Sequence, residues 1–231
     1  MERKQLFVVR ILRKKRFKKL KFWLAICILL ISIQGCMKYV NKKMEPQLRA
    51  VAKQHAGFAI NNIVKQVIGN LKYDASTLYH MEKDINGNIV QIQFDSYQLN
   101  QLLYKALETV DASLLAAQDG KKDPTTQQVF YEEGVVYEVP LGYFSNMFFL
   151  YSKGPKLKIK IKMMNDVTGE IKTSVEPYGI NSSLLKITLL LKIDAEVLTL
   201  LSSSSLQDEN EVPLVVQVIS GNVPSYTPYK N

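Results

Sequence analysis

The chain has 231 residues, 47% hydrophobic and 22% charged, a globular composition that excludes a disordered protein. Its 30 basic and 21 acidic side chains give a formal net charge of +9. Residues 1–21 hold ten of the basic groups against one acid, Glu2. The remainder is therefore electrically balanced, which excludes a basic globular domain of the kind that binds nucleic acid.

After the basic segment, residues 22–37 read FWLAICILLISIQGCM without a charge. As a helix this run spans about 24 Å, and extension to Tyr39 and Val40 brings it close to the ~30 Å hydrocarbon core. Phe22, Trp23, Leu24, Ile26, Ile28, Leu29, Leu30 and Ile31 are its apolar body, and Trp23 and Tyr39 stand where interfacial aromatics are favoured. Ten basic residues before the span outnumber Lys38, Lys42 and Lys43 after it, which predicts a cytoplasmic N-terminus and an exported domain. Two other readings stay open: a cleaved signal peptide, or a lipoprotein, because Ile33-Gln34-Gly35-Cys36 is similar to a bacterial lipobox. The division expected is a tail at 1–21, an anchor at 22–40 and a domain at 41–231, with lobes at 41–118 and 129–231. Cys27 and Cys36 are the only cysteines, so the domain has no disulfide framework and no thiolate metal site.

Pro46 opens a stretch with apolar residues every three to four positions (Leu48, Val51, Ala52, Ala56, Ala59, Ile63, Val67), predicting an amphipathic helix that ends near Gly69. Residues 77–82 and 88–95 flank Asp84-Ile85-Asn86-Gly87, a hairpin signal. A second helix is expected from Tyr97 to about Ala117, with Leu99, Leu102, Leu103, Ala106, Leu107, Val110 and Leu114 on one side. Residues 119–124 (DGKKDP) read as a loop, after which the period changes to two. Strands are expected at 135–139, 157–162, 171–176, 184–201 and 212–220. The fold class is thus α+β: one membrane helix, then two helices packed on mostly antiparallel sheet, with a β-rich C-terminal half.

A catalytic constellation is not evident. His55 and His80 are the only histidines and read as surface or packing residues, and no HExxH, GxGxxG or GxSxG motif occurs. Glu132 and Glu133 are sequence neighbours whose side chains diverge, so they read as solvated charges. Asp208-Glu209-Asn210-Glu211 lacks the ligand spacing of a calcium loop and is expected in a polar hairpin loop. The run from Tyr143 to Tyr151 is dense in aromatics and is expected to be core; the alternative is a membrane- or partner-facing patch at Phe144, Phe148 and Phe149. Lys156, Lys158, Lys160 and Lys162 form a cationic face that suits a lysine-protected edge strand or an anionic partner.

Four motifs follow one another in the second half: Pro140-Leu141-Gly142, Gly154-Pro155, Gly179-Ile180-Asn181, and Gly221 to Tyr226 with Val223 and Pro224 between. In this order they resemble the sporulation protein YunB family of endospore-forming Firmicutes, a likeness clearest from 139 to 226. The chain departs from that family's pattern at Ser182-Ser183-Leu184-Leu185 and at Pro213-Leu214-Val215-Val216-Gln217. The motif residues read as turn makers, architectural and not catalytic. The resemblance implies a non-enzymatic, membrane-anchored protein needed for spore formation, without cofactor or metal. It would face the space between mother cell and forespore and act by assembly or protein contact. Its partners would be the cell membrane, unidentified envelope or sporulation proteins and a homo-oligomer, by fold-level analogy with ring-building domains. The alternatives are an envelope lipid- or ligand-binding protein and a cell-envelope hydrolase.

Overall fold

A computed structural model describes residues 23–85, 87, 89–145, 147–179 and 182–220. The basic tail, Phe22, Asn86, Ile180, Asn181, Gly221, Val223, Pro224 and Tyr226 lie outside the described residues. The chain divides into two units, Met1–Leu48 and Arg49–Asn231.

In the first unit, helix α1 (23–39) is apolar on every side, and Trp23, Leu24, Ile28, Leu29, Leu30 and Ile31 are all exposed. Water does not tolerate such a helix, whereas lipid does, so α1 is a candidate membrane span. A π-helical turn at Val40–Met44 follows, and the Lys43 ammonium lies 5.8 Å from the centroid of the Tyr39 ring. Lysine and tyrosine are the pair expected where a helix leaves the hydrocarbon.

The second unit takes in most of helix α2 (Glu45–Gly69), which buries Ala52, Ala56, Ala59, Ile60, Ile63, Val64, Val67 and Ile68 at helical spacing. A hairpin of β1 (Tyr79–Lys83) and β2 (Ile89–Phe94) comes next. Its turn is closed by the Gly87 N–H donating to the Asp84 carbonyl, with Gly87 at φ 81°. Helix α3 (Ser96–Asp119) starts at Asp95, whose carboxylate accepts from the N–H groups of Tyr97 and Gln98, both at 3.0 Å. It ends at Gly120, φ 67°, with the Lys121 N–H on the Ala116 carbonyl at 2.8 Å. Its buried face is Leu99, Leu102, Ala106, Val110, Leu114 and Ala117.

The sheet that follows is antiparallel throughout and is built on β6 (Ser182–Leu198). Strand β7 (Ser203–Ser220) pairs with all of β6 on one side. On the other side, β5 (Thr168–Pro177) pairs with residues 183–192 and β4 (Lys156–Met163) with residues 195–198. Strand β3 (Val135–Pro140) pairs with the free side of β4. The period-two pattern of β6 puts Leu185, Ile187, Leu189, Leu191, Ile193, Ala195 and Val197 on one fully buried face. Helix α3 crosses this region at Gly169, where a Cβ would meet Leu107 Cδ2 and Leu191 Cδ2, each at 3.3 Å. Gln118 Oε1 also accepts the Met163 N–H at 2.7 Å.

Two expectations are corrected. Residues 208–211 are not a hairpin loop. They lie in β7, and the turn is Thr199–Ser202, where the Thr199 N–H donates to the Ser202 carbonyl at 2.9 Å. The polar residues belong in the strand because Asn210, only 5% exposed, lies beside Asp208, whose Oδ2 accepts from Asn210 Nδ2 at 2.9 Å and from Asn61 Nδ2 of α2 at 3.1 Å. Nor is β4 an edge strand: it lies between β3 and β6. Three of its four lysines are engaged, Lys156 with Glu138 at 2.9 Å, Lys158 with Glu133 at 2.8 Å and Lys160 with the Glu133 carbonyl at 2.7 Å.

Candidate functional site

Strands β3 and β4 shift register between Val135 and Tyr137 and then pair regularly up to Pro140 opposite Lys156. Beyond that pair the two motifs face each other. The Leu141 N–H donates to the Pro155 carbonyl and the Gly142 N–H to the Lys153 carbonyl, both at 2.9 Å. A Cβ on Gly142 would fall 1.6 Å from the Leu150 carbonyl oxygen, so only glycine permits this crossing. Gly154 adopts φ 97°, a conformation other residues resist. Motifs that stand apart in sequence therefore form one neck, from which residues 143–152 project.

The projecting segment is internally bonded. Ser145 Oγ donates to the Gly142 carbonyl at 2.7 Å and accepts the Met147 N–H at 3.3 Å. The Leu150 N–H reaches the Met147 carbonyl at 2.9 Å, and the Lys153 N–H reaches the Leu150 carbonyl at 2.8 Å. Phe144, 2% exposed, roots the loop in the core. The rest of the run is not core, contrary to the expectation from its composition: Met147, Phe148, Phe149, Leu150 and Tyr151 are all exposed, Phe148 at 91% and Phe149 at 64%. The neck brings the chain back within hydrogen-bonding distance of its starting point, and among the described residues of the run only Phe144 is buried. Of the proposed patch residues, Phe148 and Phe149 face out and Phe144 does not.

The aromatic surface continues away from the tip. Tyr143 and Tyr151 pack with ring centroids 4.6 Å apart. The hydrogen bond to Tyr143, then burial, then the charges of Tyr143 and Tyr137 push the Tyr151 phenol above its ordinary pKa. Tyr137 is stacked on His55 at 3.5 Å and 6°, and His55 meets Phe58 edge-on at 6.3 Å. His55 is thus part of an aromatic ladder between α2 and β3, while His80 is exposed on β1. Among the described residues no group of three or more His, Cys, Asp or Glu could hold a metal ion. An open groove of about 480 Å³ between residues 72–78 and α3 sets Lys72 and Lys105 against Asp74 and Glu108, without net charge.

Of the other two motifs only Gly179 lies among the described residues. Gly179, φ 73°, stands in the turn before β6, where the Tyr178 N–H donates to the Ser182 carbonyl at 2.7 Å. Ser182 in turn is the register partner of Ser220, the residue before Gly221. The first two motifs thus form one spatial pair, at the neck. Sequence order hid this; the signal available was that each motif flanks a strand, as the stems of closed loops do.

The described residues define a class: an α+β domain behind a candidate membrane helix, whose glycine–proline motifs shape one antiparallel sheet and one projecting loop. The family model described as Sporulation protein YunB matches residues 136–226, the segment that contains the four motifs. Over 206 residues the chain is 22% identical to Sporulation protein YunB of Bacillus subtilis (strain 168), covering 88% of this chain and 79% of that protein. The resemblance read from the four motifs is borne out. No solved structure matches.

Proposed function

We propose that the chain is a membrane-anchored protein of spore formation that works by contact and assembly and not by catalysis. The likeness to Sporulation protein YunB supports the role in sporulation. In this reading residues 22–40 are retained as a single anchor, the tail at 1–21 stays in the cytoplasm, and 41–231 is the exported domain. The domain faces the space between mother cell and forespore when the mother cell makes it.

The observation that carries the contact reading is the 141–155 loop. Its neck is made by two of the family motifs, yet what it holds out is apolar, uncovered and rich in aromatic rings. A monomeric soluble surface seldom maintains such a patch without use. The test is complementation of a strain lacking the gene. The full chain is expected to restore heat-resistant spores, and the full chain carrying F148E and F149E is expected to fail while accumulating at the normal level in the membrane. Normal sporulation with the double variant would overturn the contact reading.

A further inference from the structure

We propose that the tip of the 141–155 loop inserts into the surface of the anionic bilayer that holds the anchor, giving the domain a second attachment to lipid. This rests on the contact reading above and names its occupant. The order of chemistry along the loop is that of an interfacial insertion. Met147, Phe148, Phe149 and Leu150 make an apolar tip, with Phe148 91% exposed. Tyr143 and Tyr151 stand behind it, rings with one polar end that favour the headgroup level. Lys153 follows, and Lys156 sits at the neck. From residue 139 to 165 the chain has five lysines and no acid. Among the described residues, Lys153 and Lys162 have no ion-pair partner, so part of that charge is available to anionic headgroups.

Protein partners are less well matched. A stable protein interface buries roughly 800 Å² on each side, with an apolar centre and a polar rim. Here the apolar residues are consecutive and protrude at the end of a narrow neck, and the nearest charge without an ion-pair partner among the described residues is that of Lys153. The anchor also keeps lipid at high effective concentration, so even a small insertion is populated.

The test uses the full chain in liposomes of phosphatidylethanolamine and phosphatidylglycerol. Trp23 is the chain's one tryptophan, so W23F/F148W reports on the tip and W23F/L200W on the exposed turn between β6 and β7. The F148W variant is expected to emit to the blue of the L200W variant, and brominated lipid is expected to quench the first and spare the second. Removing phosphatidylglycerol or adding salt should reduce the difference. Unquenched F148W emission that matches L200W emission overturns the inference. So does a blue shift that persists in detergent and grows with protein concentration, since a second copy then covers the tip. Unchanged circular dichroism and melting of both variants show that the fold is intact. The cellular experiment separates the two readings. Quenching with normal sporulation of F148E/F149E leaves the lipid contact standing and removes its functional role. Sporulation that needs Phe148 and Phe149 without quenching removes the lipid contact alone.

Discussion

Gly142→Ala forces a Cβ against the Leu150 carbonyl and must open the neck, at a cost of about 1–3 kcal/mol. Gly57, in the middle of α2, has no atom within 4 Å of the same test position, so Gly57→Ala should stabilise by about 0.5–1 kcal/mol. Thermal melts of the two full-length variants in one detergent should move in opposite directions. Asp123 lies in the 121–131 loop and is wholly buried. Burial raises its carboxyl pKa, but the hydrogen bonds that Oδ2 accepts from the Thr125 and Thr126 N–H groups, with the Ser113 hydroxyl nearby, outweigh it and hold the group below its ordinary value. A depressed folded pKa stabilises fully above the unfolded value of about 3.9, and this stabilisation is lost as pH falls through the folded pKa. Asp123→Asn should therefore lower stability at pH 7 and flatten the loss as pH falls below about 4, read from unfolding midpoints across that range. Composition marked this stretch as loop; it carried no sign that the loop folds around its own aspartate.

At the scale of elements, long periodic segments were legible and polar strands were not. The helix at 46–69 and that at 97–117 were readable because their apolar stripes persist over several turns and stop at glycine, where the helices do end. Strand β7 was truncated in the reading because its first half is Ser-Ser-Ser-Leu-Gln-Asp-Glu-Asn-Glu, a composition typical of loops. What makes it a strand is tertiary: all of β6 lies beside it, and Asn61 of α2 joins its buried polar cluster. The aromatic loop failed for a similar reason. Hydrophobicity alone implies burial, whereas the hydrogen bonds of the neck decide which way those rings point. Within the sheet, Leu191→Ala should cost about 2–5 kcal/mol, since its side chain is fully buried, and Val216→Ala, 61% exposed, only about 0.5 kcal/mol. Denaturant melts of the two variants should separate clearly.

For the molecule as a whole, charge and hydropathy make the proposed orientation testable. A candidate span preceded by ten basic residues and followed by a balanced domain predicts that a C-terminal alkaline phosphatase fusion is active in cells. Replacing the basic residues of 1–21 with glutamine should reduce that activity by mixing the topology. The pairing of β6 with β7 has a further consequence for biogenesis. A chain translated from its N-terminus releases β6 before β7, so the most apolar strand of the sheet waits, half-paired, for its partner. During that interval its open edge is a template for another nascent chain. A frameshift or stop codon near 203 would make the interval permanent, and such a product should be cleared by proteases or deposited as aggregate. Late truncations of this protein should therefore behave as complete losses of it.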